Sequence, residues 1–399
     1  RGKNPILTNF NTLTWKRSEM LTVYIDFEVI PRNQFFEITD FQGHSLKVQP
    51  IRYRREGCYY AIFAEDIPPM GYKTFEIVFK QPSTDTGTIT INNASIENHF
   101  YKLQLNPDKG TIQSLYDKEL NCELVDSSSP WELGAFIYEK LGNRDQLAQY
   151  RLDDYNRTGL SECRIIDSSN GPIYQRILLQ GKSPGTDEAF GVNLEIKLYH
   201  DTKRIELEYA IKRLPETDPS GIYVAFPFQL PEGKLAFDVQ GGTVISGKNQ
   251  LEGTSTDWNT VQNFVSVQNN QAQIIIGSSL IPLYQLGDIN LGKFQYQKQY
   301  ERPHVYSWVM NNYWNTNFKA SQEGEFRWSY HLTSSVDPSN NLATKFGWSS
   351  RIPLYARVMP TGTENHKPTE YSAFHFEKDN FLMTSCTPSK EEGYILLNI

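Results

Sequence analysis

From Val192 to Ile211 the chain alternates between two kinds of side chain. Val192, Leu194, Ile196 and Leu198 are separated by Asn193, Glu195 and Lys197, and after His200-Asp201-Thr202-Lys203 the apolar set resumes as Ile205, Leu207, Tyr209 and Ile211 around Glu206 and Glu208. A period of two puts successive side chains on opposite faces of an extended strand, so each segment has one apolar and one charged face. The polar break between them makes the pair a hairpin. Strands this long, with one solvated side, build large antiparallel sheets. Gly324 to Thr333 repeats the pattern, with Phe326, Trp328, Tyr330 and Leu332 set against Arg327, Ser329, His331 and Thr333. Tyr 23, Phe 22 and Trp 7 against only five Met favour strands as well. The expectation is an all-β chain.

The rest of the chain supports that reading. Phe100 to Leu105, the turn Asn106-Pro107-Asp108-Lys109-Gly110 and Thr111 to Tyr116 read as a second hairpin. The turn is too poor in carboxylates, and lacks the closing Glu, for a calcium loop. Before it, strands are expected at Leu21 to Phe27, Leu46 to Arg52, Tyr59 to Ala64 and Lys73 to Phe79. The polar stretch Gln81 to Gly87 then reads as a linker. Arg144 to Arg151 suits one or two helical turns, and a short helix is expected from Asn340. After it come strands at Pro353 to Val358, Phe374 to Glu377 and Phe381 to Ser385. Three units follow: a small β-sandwich over 1–88, a large antiparallel β-sandwich over 89–350, and the start of a terminal β-unit over 351–399. Because Glu391 to Ile399 ends on an apolar strand, the terminal unit is expected to continue beyond Ile399.

Several functions lose support. A net charge of -7, with Lys and Arg scattered, speaks against nucleic acid and anionic membrane and for a neutral ligand. No run of about 18 apolar residues is present to span a bilayer. A soluble chain is expected, in a bacterial cytoplasm or periplasm, with association into a homo-oligomer left open. Cys58, Cys122, Cys163 and Cys386 stand far apart without metal-ligand spacing and read as free thiols. His44, His99, His200, His304, His331, His366 and His375 also stand singly, so no metal ligands and no catalytic residues are assigned. No nucleophile elbow, phosphate loop or dinucleotide fingerprint occurs. Asn93-Ala94-Ser95 and Asn156-Arg157-Thr158 are formal glycosylation sequons, a pattern that also arises by chance.

The stretch from Asn311 to Gln322 fits neither period. It interleaves Asn311, Asn312, Asn315 and Asn317 with Tyr313, Trp314 and Phe318. Aromatic faces stack on the C–H faces of sugars, and Asn amides both donate to and accept from vicinal hydroxyls. Tyr313, Trp314, Asn315 and Asn317 are therefore candidates for a sugar-facing rim. The alternative is a loop whose aromatics plug the core and whose Asn residues make turns.

The whole of Asn311 to Ser335 resembles the C-terminal stretch of bacterial glycoside hydrolase family 38, the α-mannosidases. Ser95 to Asp126, with Tyr116-Asp117-Lys118-Glu119-Leu120 as its plainest mark, is similar to the opening of that family's large β-domain. Tyr223 to Phe228, Gly253 to Gln262 and Leu280 to Gly287 match further blocks in the same order. The likeness runs from about Asn11 onward. It implies a galactose-mutarotase-like supersandwich in the C-terminal part of a retaining α-mannosidase. It further implies that the aspartate nucleophile and a zinc held by His and Asp lie in an N-terminal catalytic domain outside this chain. The implied partners are that domain and an α-mannoside substrate, with this chain inactive alone. The alternatives are a free-standing carbohydrate-binding module, or a mutarotase-like epimerase needing a His and Glu pair on one sheet face, with His331 or His375 as the His.

Overall fold

A computed structural model describes residues 4–81, 94–362, 368–374, 376–378 and 380–399. The linker expected at Gln81 to Gly87, apart from Gln81, lies outside the described residues, as do Asn93 of the first sequon, His366 and His375. Among the described residues the structure is all-β, with several antiparallel sheets, one α-helix and one 3-10 turn. The chain divides into two compact units, Arg1–Ile89 with Gly171–Ile173 and Ile352–Ile399, and Thr90–Asn170 with Tyr174–Arg351.

In the first unit Ile6–Asn11 sits between Gly71–Lys80 and Tyr355–Met359 in one sheet, while Gly57–Ile67 lies between Arg17–Asp26 and Lys47–Tyr53 in another. Leu7, Leu21, Ile25, Ile62, Phe75 and Ile77 form its core. Residues 352–399, expected from the sequence to start a separate unit, group here because Tyr355–Met359 pairs with Ile6–Asn11. Strands in this last segment are Glu370–Ser372, Ser385–Pro388 and Ile395–Asn398. Phe381 to Thr384 is irregular: Thr14 Oγ1 donates to the Phe381 carbonyl, which is thereby satisfied outside any ladder.

The second unit carries the long hairpins. Its nine-stranded sheet runs, in spatial order, Ser161–Asn170, Tyr174–Lys182, Val192–Tyr199, Ile205–Arg213, Gly324–Ser335, Gln273–Gly277, Phe264–Gln268, Lys234–Val239 and Gly242–Ile245. A six-stranded sheet runs Tyr155–Thr158, Phe136–Leu141, Ser220–Phe226, Val305–Asn311, Leu283–Leu286 and Asn259–Thr260. A four-stranded sheet is built on the Tyr101–Asn106 and Thr111–Asp117 hairpin. The apolar faces share one core, in which Leu207, Tyr209, Trp328 and Tyr330 meet Phe136, Ile222, Val224, Phe226 and Val305. Each such side chain, fully buried, contributes roughly 1.5–3 kcal/mol before entropy is charged against it. Two hydrogen bonds and one ring contact align the layers: Tyr330 donates to Ser307 Oγ at 2.7 Å, Tyr209 donates to the Gly134 carbonyl at 2.6 Å, and the Phe226 and Tyr330 rings meet edge to face at 4.9 Å.

The helix expected from Asn340 is Asn340–Arg351, with Ser339 Oγ accepting from the Leu342 amide at its start. It lies over the outer face of the nine-stranded sheet, where Leu342, Ala343 and Phe346 cover Phe264 and Ile275.

Candidate functional site

The outer face of the six-stranded sheet holds the chemistry the sequence pointed to. Cross-strand pairing sets Tyr223 opposite both Ile137 and Trp308, and Glu139 opposite Arg157. An irregularity in register between Ile222 and Tyr223 sends both Val309 and Met310 toward the shared core, while Tyr306 and Trp308 stay on the outer face. The result is an aromatic platform. Tyr223 and Trp308 stack at 5.9 Å with 2° between planes, and Trp308 lies 5.8 Å from Tyr313, 5.5 Å from Trp258 and 5.7 Å from Trp314.

Beneath the platform is a buried carboxylate. Glu139 is fully covered; its Oε2 accepts from Arg157 Nε at 2.5 Å, and its Oε1 accepts from Tyr313 at 2.5 Å and Tyr223 at 3.3 Å. Gln285 donates to the Tyr223 oxygen at 3.3 Å and accepts from the Asn290 amide at 2.5 Å, so the network reaches a neighbouring loop. Burial, reinforced by nearby Tyr223 and Glu139, pushes the Tyr313 hydroxyl well up; burial, then Glu139, does the same to Tyr223. Both phenols therefore stay protonated and donate. With both carboxylate oxygens engaged, Glu139 is a structural anchor rather than an accessible acid or base.

The four sequence candidates separate here. Tyr313 is in the core, packed so closely on Gly221 that a Cβ there would overlap its hydroxyl. It offers no ring face to a ligand and so behaves as the core-plugging alternative describes. Trp314 keeps 37% of its surface exposed and leans on Trp258 at 5.5 Å. Asn315 and Asn317 are exposed, and their amides have no protein partner among the described residues. Phe318 is 78% exposed. Asn312, by contrast, builds the base of the loop: its Oδ1 accepts from the Ser220 amide at 2.7 Å and its Nδ2 donates to the Glu216 carbonyl at 2.9 Å. Arg144, opening the 3-10 turn Arg144–Gln149, donates to the carbonyls of Thr217 and Asn312. The base is thus pinned while the tip from Trp314 to Phe318 faces solvent.

Sequence reasoning missed Glu139, Arg157 and Trp258. A carboxylate in the apolar run Phe136–Leu141, opposite an Arg in Tyr155–Thr158, was the available signal, but it needs the pairing to be seen. The His and Glu pair asked of an epimerase also exists in part. His331 Nε2 stands 3.6 Å from Glu206 on the outer face of the nine-stranded sheet. However, Glu206 already accepts from Lys197 and Tyr199, each at 2.9 Å, and burial, with Arg204 beside it, drives His331 down to about 3. Such a pair holds a neutral ring in place and has little proton to give near neutrality. Among the described residues no group of three or more His, Cys, Asp or Glu is placed to hold a metal ion, and no helix is long and apolar enough to cross a membrane.

Comparison with known proteins agrees on the fold. The family described as "Glycosyl hydrolases family 38 C-terminal domain" matches residues 96–294. No curated protein matches by sequence. The fold is similar to that of an α-mannosidase from Enterococcus faecalis V583, with a TM-score of 0.70 and 13% identity over 99% of this chain and 50% of that one. It is also similar to a glycosyl hydrolase family 38 protein from Enterococcus faecalis, with a TM-score of 0.66 and 14% identity over 92% of this chain and 49% of that one. The chain spans about half the length of each of these two proteins.

Proposed function

We propose that this chain is the C-terminal β-portion of a retaining α-mannosidase of glycoside hydrolase family 38, a supersandwich of the galactose-mutarotase kind that scaffolds the enzyme and shapes the rim of its substrate site. The observation that carries the reading is the match of residues 96–294 to that family's C-terminal domain, alongside a fold covering about half of an α-mannosidase. The site fits a supporting role. Its buried carboxylate is saturated by Arg157, Tyr223 and Tyr313, whereas retaining hydrolysis needs two reachable carboxylates about 5–5.5 Å apart. Trp314, Asn315 and Asn317 lie on the exposed tip of the loop, where a sugar can reach them, one by stacking and two by amide hydrogen bonds. Tyr313 acts from below by holding the loop to Glu139.

In this reading zinc and the aspartate nucleophile belong to the catalytic domain of the same protein. The described residues offer no donor set for zinc, so no step is assigned to it here. The exposed Trp314 and its Asn neighbours equally suit a free-standing carbohydrate-binding module, which needs no such domain. The deciding experiment joins this chain to the upstream part of its own reading frame. Hydrolysis of an aryl α-mannoside with one bound zinc in the joined protein, and neither property in this chain alone, is the expected result. An upstream frame without paired His/Asp ligands, or turnover by this chain alone, defeats the proposal.

A further inference from the structure

Away from the aromatic platform, the loop 247–256 and the segment 296–299 enclose a cleft of about 400 Å³, within the roughly 300–1,000 Å³ usual for small-ligand sites. Lys248, Glu252, Tyr296, Lys298 and Gln299 line it. Its walls are fixed by hydrogen bonds. Gln250 accepts from the Ser246 hydroxyl and the Gly247 amide, each at 3.1 Å, and donates to Asn259 at 3.0 Å, while the Gly253 amide donates to the Tyr296 carbonyl at 3.2 Å. Gly247, at a φ of +75, brings the loop against the Lys298 backbone in a conformation that other residues rarely adopt.

Lys298 is the unusual member. It is 7% exposed, yet its ammonium has no hydrogen-bond or ion-pair partner among the described residues and stands 5.6 Å from the centre of the Tyr300 ring. The residue is largely covered but solvent still reaches the ammonium, whose N–H donors have no protein acceptor among the described residues and which ligand hydroxyl oxygens can take up. We infer that this cleft is a binding site for a neutral oligosaccharide, with Lys298 and Gln299 hydrogen-bonding ring hydroxyls and the 63% exposed Tyr296 presenting a face for stacking.

The surroundings choose a neutral ligand over an anion. Glu252 lines the same cleft as Lys248 and Lys298, and Asp257, Asp288 and Lys293 act on Lys298 electrostatically, so positive and negative charge balance there. Burial brings the Lys298 ammonium down to about 8, against an ordinary value of 10.5. The inference rests on the carbohydrate reading above but not on the family or on catalysis.

The test is the acetylation rate of Lys298 in the full chain at pH 8, read by mass spectrometry, with α-linked mannotriose, cellotriose or inorganic phosphate present. Binding of each is measured by calorimetry. The expected result is a reactive Lys298 protected several-fold by a trisaccharide and not by phosphate, with binding weakened several-fold in both Lys298→Met and Tyr296→Ala. Tyr296→Ala serves because Lys298→Met removes a buried residue and risks the fold. Protection by cellotriose and not mannotriose supports this site while counting against the mannosidase reading. Protection by phosphate alone, protection by nothing, or binding unchanged in Tyr296→Ala overturns it.

Discussion

Tyr313 reaches across 174 residues of sequence to donate its hydroxyl to Glu139 at 2.5 Å, and that bond, beside the one Asn312 Oδ1 accepts from the Ser220 amide, ties the base of the Asn-rich loop to the six-stranded sheet. Tyr313 and Glu139 are both fully buried. The loop therefore has a rigid root and a free tip, which is the arrangement a binding rim requires.

Removing the hydroxyl should loosen the root. Tyr313→Phe leaves Glu139 Oε1 with only Tyr223 at 3.3 Å, and the expected cost is about 1–3 kcal/mol. Glu139→Ala strands the Arg157 guanidinium in a covered position and should cost more, about 3–5 kcal/mol. Urea unfolding checks both; equal stability of the two variants and the parent would contradict the network.

Two tryptophans in contact should behave differently. Trp308→Ala hollows the platform and should cost about 3–5 kcal/mol. Trp314→Ala, at a half-open position, should cost about 1 kcal/mol while weakening oligosaccharide binding several-fold. Thermal melts paired with calorimetric titration distinguish them, and a Trp314→Ala protein that binds sugar as well as the parent removes this residue from the rim.

The asparagines divide along the same line. Asn312→Ala strips the Ser220 amide and the Glu216 carbonyl of their partners and should lower stability by about 1–3 kcal/mol. Asn315→Ala and Asn317→Ala should leave the melting temperature unchanged and lower kcat/KM of the intact enzyme several-fold, since one hydroxyl contact is worth about 1 kcal/mol. Unchanged kcat/KM in both exposed variants would leave the tip without a role.

Acid should destabilise the second unit through its buried histidines. Burial lowers His331 from 6.5 to about 3, with Glu206 opposing and Arg204 and Lys197 assisting; burial lowers His304 too, against Asp126. A depressed folded value means that the contribution is complete above about pH 6.5 and is lost as pH falls toward the folded value. His331 adds up to about 1.4 kcal/mol per pH unit to the slope in that window, and His304 acts in the same direction. Unfolding free energies between pH 7 and 5 should fall accordingly, and less steeply in His331→Asn. A flat profile in the parent would refute the burial assignment.

Much of the architecture was legible because alternation is a local property. Val192–Tyr199, Ile205–Arg213 and Gly324–Ser335 each announce a covered face without reference to any partner strand. Ser161–Asn170 does not. Its register breaks between Ser161 and Arg164 and between Ile165 and Asp167, and each break resets the period that a reader of the sequence would count. Val305–Asn311 is obscured in the same way by its irregular pairing beside Tyr223.

The candidate site divides between what a segment carries and what a fold assembles. By itself the sequence determined the all-β character, the long hairpins, the aromatic and amide chemistry of Asn311 to Gln322, and a likeness to one family. Only the tertiary structure decided that Tyr313 is an internal strut and Trp314 a surface, because the difference lies in Gly221 leaving room and Glu139 offering an acceptor. Those two residues lie some 90 and 174 positions away in the chain. Side-chain type and periodicity are inscribed locally, whereas burial and hydrogen-bond partners exist only once strands distant in sequence have paired.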